Sequence, residues 1–165
     1  MSNSAIKDYI VIYITLLLGM ILTILPMPPW AVWLRPNWML AILIFWLMTT
    51  SNRVGVGIAW FMGLWMDLLT GSLLGQQALI FTITAYLVLR FQQWISRMPV
   101  LQQTAIIFLL ILFDLIIERC MGMLFQQTVI NWMFWLPAVT TAVIWPWLSG
   151  LLYLYQIKLR VVEVG

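Results

Sequence analysis

Four ionisable side chains fall inside stretches otherwise built of apolar residues: Asp67, Asp114, Glu118 and Arg119. A charged group placed so is costly in lipid, and it faces a partner, a cavity or another helix. Asp114 and Glu118 are four residues apart, which on a helix puts them on one face a single turn apart. Arg35 stands at the edge of another apolar stretch and offers a counter-charge. Arg35, Asp67, Asp114, Glu118 and Arg119 are therefore read as one intramembrane polar network. Paired acids suggest acid–base chemistry, but that chemistry needs a nucleophile, a base or a metal beside them. The chain has no histidine and a single cysteine, Cys120. His-based catalysis, the usual zinc ligand sets and an internal disulfide are all set aside. Glycine-rich phosphate loops, H-E-x-x-H and G-x-S-x-G are absent as well. No catalytic residue, metal ligand or cofactor is expected, and the chain reads as a non-enzyme. Two roles stay open for the acids and arginines: pairing that holds helices together, or lining a surface or cavity for a partner or a small polar ligand.

A second pattern runs into Asp67. Gly55, Ala59 and Gly63 recur every fourth residue, and Asp67 is the next member of the row. Small residues at this spacing let another helix come close enough for van der Waals packing. The row is therefore read as a helix-packing seam that ends on an acid. Gly71-Ser72-Leu73-Leu74-Gly75 follows at once. Gly71, Ser72 and Gly75 make it a turn of little bulk that a partner could reach.

The elements that must hold these residues follow from composition. Of 165 residues, 64% are hydrophobic and only 8% charged, with a mean hydropathy of +1.04. Soluble domains run at about 45–50% apolar and about 25% charged, so lipid must be the solvent for most of this chain. The spacing of Pro, Gly, Asn and Arg predicts six spans, at about 9–25, 38–50, 54–69, 73–89, 101–125 and 132–155. The second is short, and Pro137 and Pro146 should bend the last. Five spans and one partial span is the nearest competitor. The expected fold is all-α, a single polytopic membrane domain over 1–165. The first apolar run ends at Leu25-Pro26-Met27-Pro28-Pro29 with no small-residue cleavage site, so it reads as a span rather than a leader. Eleven Trp and eleven Met suit interfacial anchoring and packing better than a cofactor box.

Orientation comes from the basic residues. With the N-terminus inside, Lys7, Arg53, Arg90, Arg97, Lys158 and Arg160 fall on the cytoplasmic side and Arg35 on the other. This is a positive-inside pattern. It predicts both termini in the cytoplasm, an even span count and, for a bacterial chain, the inner membrane. The basic residues are scattered, so nucleic acid is not an expected partner. Depth then follows at about 1.5 Å per residue. Asp67 and Asp114 each lie about 20 Å along outward-running helices, which puts the polar network in the outer half of the membrane.

These residues resemble a known family. The runs Arg35-Pro36-Asn37-Trp38-Met39-Leu40 and Asn52-Arg53-Val54-Gly55-Val56-Gly57, with Gly63 through Gly75, look like rod shape-determining membrane proteins of the MreD family. Gln102-Gln103, Asp114 and Trp145-Pro146-Trp147 are similar too, and the likeness extends from about Tyr9 to Leu159. The resemblance implies a non-enzymatic member of the cell-elongation machinery, helping to direct lateral peptidoglycan synthesis. It implies MreC as main partner, with MreB, RodZ and the elongation glycosyltransferase and transpeptidase. It also implies a compact bundle similar to substrate-binding subunits of energy-coupling-factor transporters. A vitamin-binding subunit of such a transporter is thus the rival reading. That rival needs a surface of small residues on the first span, where only Gly19 stands among bulky neighbours.

Overall fold

The computed structural model describes residues 3–50, 54–72, 74–124 and 132–162, with the backbone alone at 3–8, 124 and 157–162. Arg53 and Leu73, singled out in the sequence, lie outside the described residues. Helix makes up 85% of the structure, with no strand among the described residues. Six α-helices follow in order: α1 (Asn3–Ile24), α2 (Trp38–Thr49), α3 (Val56–Thr70), α4 (Gln76–Ile95), α5 (Val100–Leu124) and α6 (Leu136–Val162). Short 3-10 turns at Val32–Leu34 and Trp132–Trp135 precede α2 and α6.

The apolar stretches Val32–Thr49, Gln76–Ile95, Val100–Met123 and Trp132–Gln156 are each long and apolar enough to cross a membrane. Tyr9–Ile24 and Val56–Thr70 are shorter apolar helices. The chain is an all-α, multi-pass membrane protein.

The centre of the bundle is α2. Residues Met39 through Met48 are all buried, and α1, α4 and α6 pack around them. The run Met39–Met48 carries no polar group but the indole N–H of Trp46, and a helix apolar on every side is a buried one. On the outer helices the large apolar side chains are exposed instead, among them Leu18, Leu68, Tyr86 and Leu109. Gly19 lets α1 lie close on α2, because a Cβ there would meet Ile42 Cδ1 at 2.9 Å. The small residue of the first span is therefore taken up inside the fold. Trp46 Nε1 donates to Thr15 Oγ1 at 2.8 Å and ties the same two helices.

Helix ends leave carbonyls without partners, and glutamines close them at one end of the bundle. Gln92 Nε2 on α4 donates to Met48 O at 3.1 Å. Gln103 Nε2 on α5 donates to Ile95 O at 3.3 Å and Met98 O at 3.1 Å. The sequence suggests that the fourth helix stops near Leu89, yet it runs through Arg90 to Ile95. Arg and Gln are good helix formers, so the polar stretch prolongs the helix out of the apolar layer. Because the last turn of α4 caps the last turn of α2, these helices run the same way. Their N-termini therefore share the opposite end of the bundle, and that is where the acids lie.

Candidate functional site

Asp67 lies near the end of α3 and is 1% exposed. Its carboxylate accepts four hydrogen bonds, all from residues 72–78. Ser72 Oγ donates at 2.7 Å and Gln77 N at 2.8 Å to one oxygen. Gly75 N at 2.9 Å and Ala78 N at 3.3 Å donate to the other. The first N–H groups of a helix have no intrahelical acceptor, and a negative charge there is favoured by the helix dipole. Gly75, the residue preceding α4, supplies no side-chain cap. Asp67 does so from the neighbouring helix.

The glycines around Asp67 explain their own spacing. Gly63 faces α4 so closely that a Cβ would sit 2.5 Å from Ala78 Cα and 2.6 Å from Gln77 O. Gly71 ends α3 with φ 66°, and Gly75 precedes α4 with φ 96°. Both conformations suit glycine far better than any residue with a side chain. One glycine allows the approach and two make the turn, while Asp67 fixes the join. Ala59 is fully buried in the same row. Gly55 is not part of the contact: it precedes α3, and a Cβ there would meet nothing within 4 Å.

The second centre joins α2, α5 and α6. Asn37 caps α2, its Oδ1 accepting from Leu40 N at 3.3 Å. Its Nδ2 donates to Asp114 Oδ2 at 2.9 Å, and its backbone N–H donates to Thr141 Oγ1 at 2.9 Å. Thr141 in turn donates to Pro137 O at 2.6 Å. Asp114 is 2% exposed, and its Oδ1 is buried without a hydrogen-bond partner among the described residues. Glu118 follows one turn along α5 and is half-buried.

The structure takes Arg35 and Asp67 out of the network into which the sequence groups them. Arg35 donates through its two terminal nitrogens to Thr23 O and Leu25 O at the end of α1, so it closes helix carbonyls rather than pairing with an acid. Arg119 lies over the Phe134 ring, 5.1 Å from its centroid. Asp67 takes backbone N–H groups in place of an arginine. The physical reason is common to Arg35 and Asp67. Groups left open at helix ends are fixed in space and need no side-chain ordering to be reached. Asn37 and Thr141 were given no role from sequence. An Asn just before an apolar run is a helix-start signal, so the cap at Asn37 was legible; its bond to Asp114 was not.

Comparison with known proteins now decides the family. The family model described as rod shape-determining protein MreD matches residues 4–155. The chain belongs to the MreD family. Among curated relatives, the rod shape-determining protein MreD of Haemophilus influenzae is 24% identical over 140 residues, covering 83% of this chain and 86% of that one. No solved structure matches the chain. MreD membership gives the chain a role in rod shape determination. It places the chain in a structural, shape-determining family rather than a known class of enzyme. The turn motif from Gly63 to Gly75, one of the stretches that resemble MreD, is the α3–α4 join just described.

Proposed function

We propose that this chain is a non-enzymatic scaffold of the cell-elongation machinery in the bacterial inner membrane. It binds MreC and helps to direct lateral peptidoglycan synthesis, in a complex with MreB, RodZ and the elongation glycosyltransferase and transpeptidase. Both termini face the cytoplasm, so the acidic end of the bundle is the periplasmic end. The observation that carries this reading is the α3–α4 hairpin. Its acid is wholly engaged by four donors of the turn and the start of α4, which leaves no capacity for chemistry and fixes the turn's shape. Leu74, 73% exposed beside the join that Asp67 ties, is an apolar side chain that a partner can cover.

The test is affinity purification of the tagged chain from its native membrane in mild detergent, for wild type and Leu74→Glu. MreC and wall-synthesis enzymes should follow the wild type. Leu74→Glu should lower MreC recovery about tenfold, the order expected for an interface hot spot, with an unchanged melting temperature. Recovery of an ATPase module or a bound vitamin, with no wall proteins, would replace the scaffold by a transporter subunit.

A further inference from the structure

The lipid-facing helices are of two lengths. On α5 exposed apolar side chains run from Leu101 to Met123, about 33 Å along the axis. The apolar stretch Trp132–Gln156, most of it α6, covers about 37 Å. Both can span a hydrocarbon core of about 30 Å, and α5 and α6 pack side by side. α1 and α3 lie together elsewhere on the bundle, across an apolar groove lined by Tyr13, Leu17, Phe61 and Trp65. Their apolar parts are Tyr9–Ile24 and Val56–Thr70, about 24 Å and 22 Å long.

The ends of α3 cannot slip into hydrocarbon. The first N–H groups and the last carbonyls of a helix have no intrahelical partner, and within lipid such groups must be satisfied. Gly55 precedes α3 and offers no side-chain cap, and Gly57 in the first turn is exposed. At the other end Leu68 is 64% exposed, and Thr70 and Gly71 are exposed as well. Gly71 turns the chain out of the helix with φ 66°, and irregular backbone that faces lipid does not occur within the hydrocarbon region. Water or headgroups must therefore reach both ends of α3. Tilting the helix only brings those two levels closer together. α1 is bounded in a similar way: Lys7 and Asp8 precede its apolar part, and Arg35 closes Thr23 O and Leu25 O at its far end.

Between those ends the face is apolar, with Leu17, Leu18, Ile21, Trp60, Phe61 and Leu68 all exposed. A span shorter than the membrane is accommodated by thinning of the bilayer around it, and phospholipids with short acyl chains need the least compression to follow. We propose that the α1–α3 face is a selective surface for short-chain phospholipid, around which the bilayer is drawn in by about a quarter. The α5–α6 side takes lipid of ordinary length. The protein is thus a local organiser of the bilayer, with one thin flank and one of full thickness, whatever proteins it also binds.

The test uses the full chain in vesicles of dioleoyl phosphatidylcholine, with Cys120→Ser and a bimane label on a single new cysteine, Phe61→Cys on α3 or Leu109→Cys on α5. Dimyristoleoyl or dierucoyl phosphatidylcholine, brominated at the double bonds to quench the label, is added at equal mole fraction. The label at position 61 should be quenched by the short-chain lipid about threefold more than by the long-chain one, and the label at position 109 by both alike. Trp60→Cys replaces Phe61→Cys if the latter melts lower than the wild type. Equal quenching by the two lipids at position 61, or a preference for the long chain, would overturn the proposal. A preference for the short chain at both positions would do the same, since the selection would then belong to no one face. Quenching by neither lipid at position 61, with position 109 quenched, would mean that protein covers the face, a second copy included, and would overturn it too.

Discussion

The two buried aspartates sit at the same end of one bundle and are held in opposite ways. Asp67 has both oxygens filled, by three backbone N–H groups and a hydroxyl drawn from a single turn and the start of one helix. Asp114 has one oxygen on Asn37 and the other without a partner among the described residues, so its one bond joins α5 to the start of α2. The first acid is a local fastening that shapes a hairpin. The second is a long-range one, still open on one side. Burial alone does not distinguish them, since both are almost wholly hidden. The number of donors aimed at each oxygen does.

Substitution should separate them by size of effect. Asp67→Leu leaves three N–H groups, one of them buried and two half-buried, without their acceptor and should lower stability by about 3 kcal/mol. Thermal unfolding in detergent should show a large fall in melting temperature, and a fall no greater than that of Asp114→Asn would break the contrast. Gly63→Ala drives a Cβ into the α4 backbone at 2.5 Å. Overpacking of this kind costs about 1–3 kcal/mol, and the protection of the 75–78 amides in hydrogen exchange should fall with it. Asn37→Ala removes a helix cap and the partner of Asp114, a loss of about 1 kcal/mol. Guanidinium or urea titration would place it between the other variants. Asp114→Asn should be nearly silent in melting, within about 0.5 kcal/mol, because an amide can still accept from Asn37 and no longer strands a carboxylate oxygen. Normal melting combined with loss of rod shape in complemented cells would mark the open oxygen as functional.

Much of the first centre could be read in the chain itself. Gly63 and Asp67 are spaced as the end of a close-packed row and Gly71 and Gly75 as the turn after it, so approach and turn could be read from spacing, while the capping role of Asp67 could not. The partner of Asp67 was not legible. Sequence displays charges but not the open N–H groups at the start of α4 or the open carbonyls at the end of α1, so Arg35 looks like a natural counter-charge and instead closes those carbonyls. The second centre was harder, because Asn37, Asp114 and Thr141 are far apart in the chain and meet only when α2, α5 and α6 are assembled. The position of α2 was hidden for another reason. In lipid, an apolar surface is suited equally to solvent and to core, so ten apolar residues in a row do not say which they face. Gly55 shows the limit of periodicity: it keeps the spacing of Ala59 and Gly63 but lies before the helix begins.

The burial of α2 also bears on the order in which the protein can be made. Its neighbours α4 and α6 are synthesised after it. Of the helices that wrap α2 only α1 precedes it in the chain, so the flanks that α4 and α6 will cover face lipid tails or the insertion machinery until those helices arrive. Lipid tails are about as apolar as leucine, so this interval carries little penalty, and the wrapped centre closes as α6 docks. A helix with a polar face could not wait in this way. Uniform apolarity is therefore what lets a helix made before two of its neighbours become the innermost one.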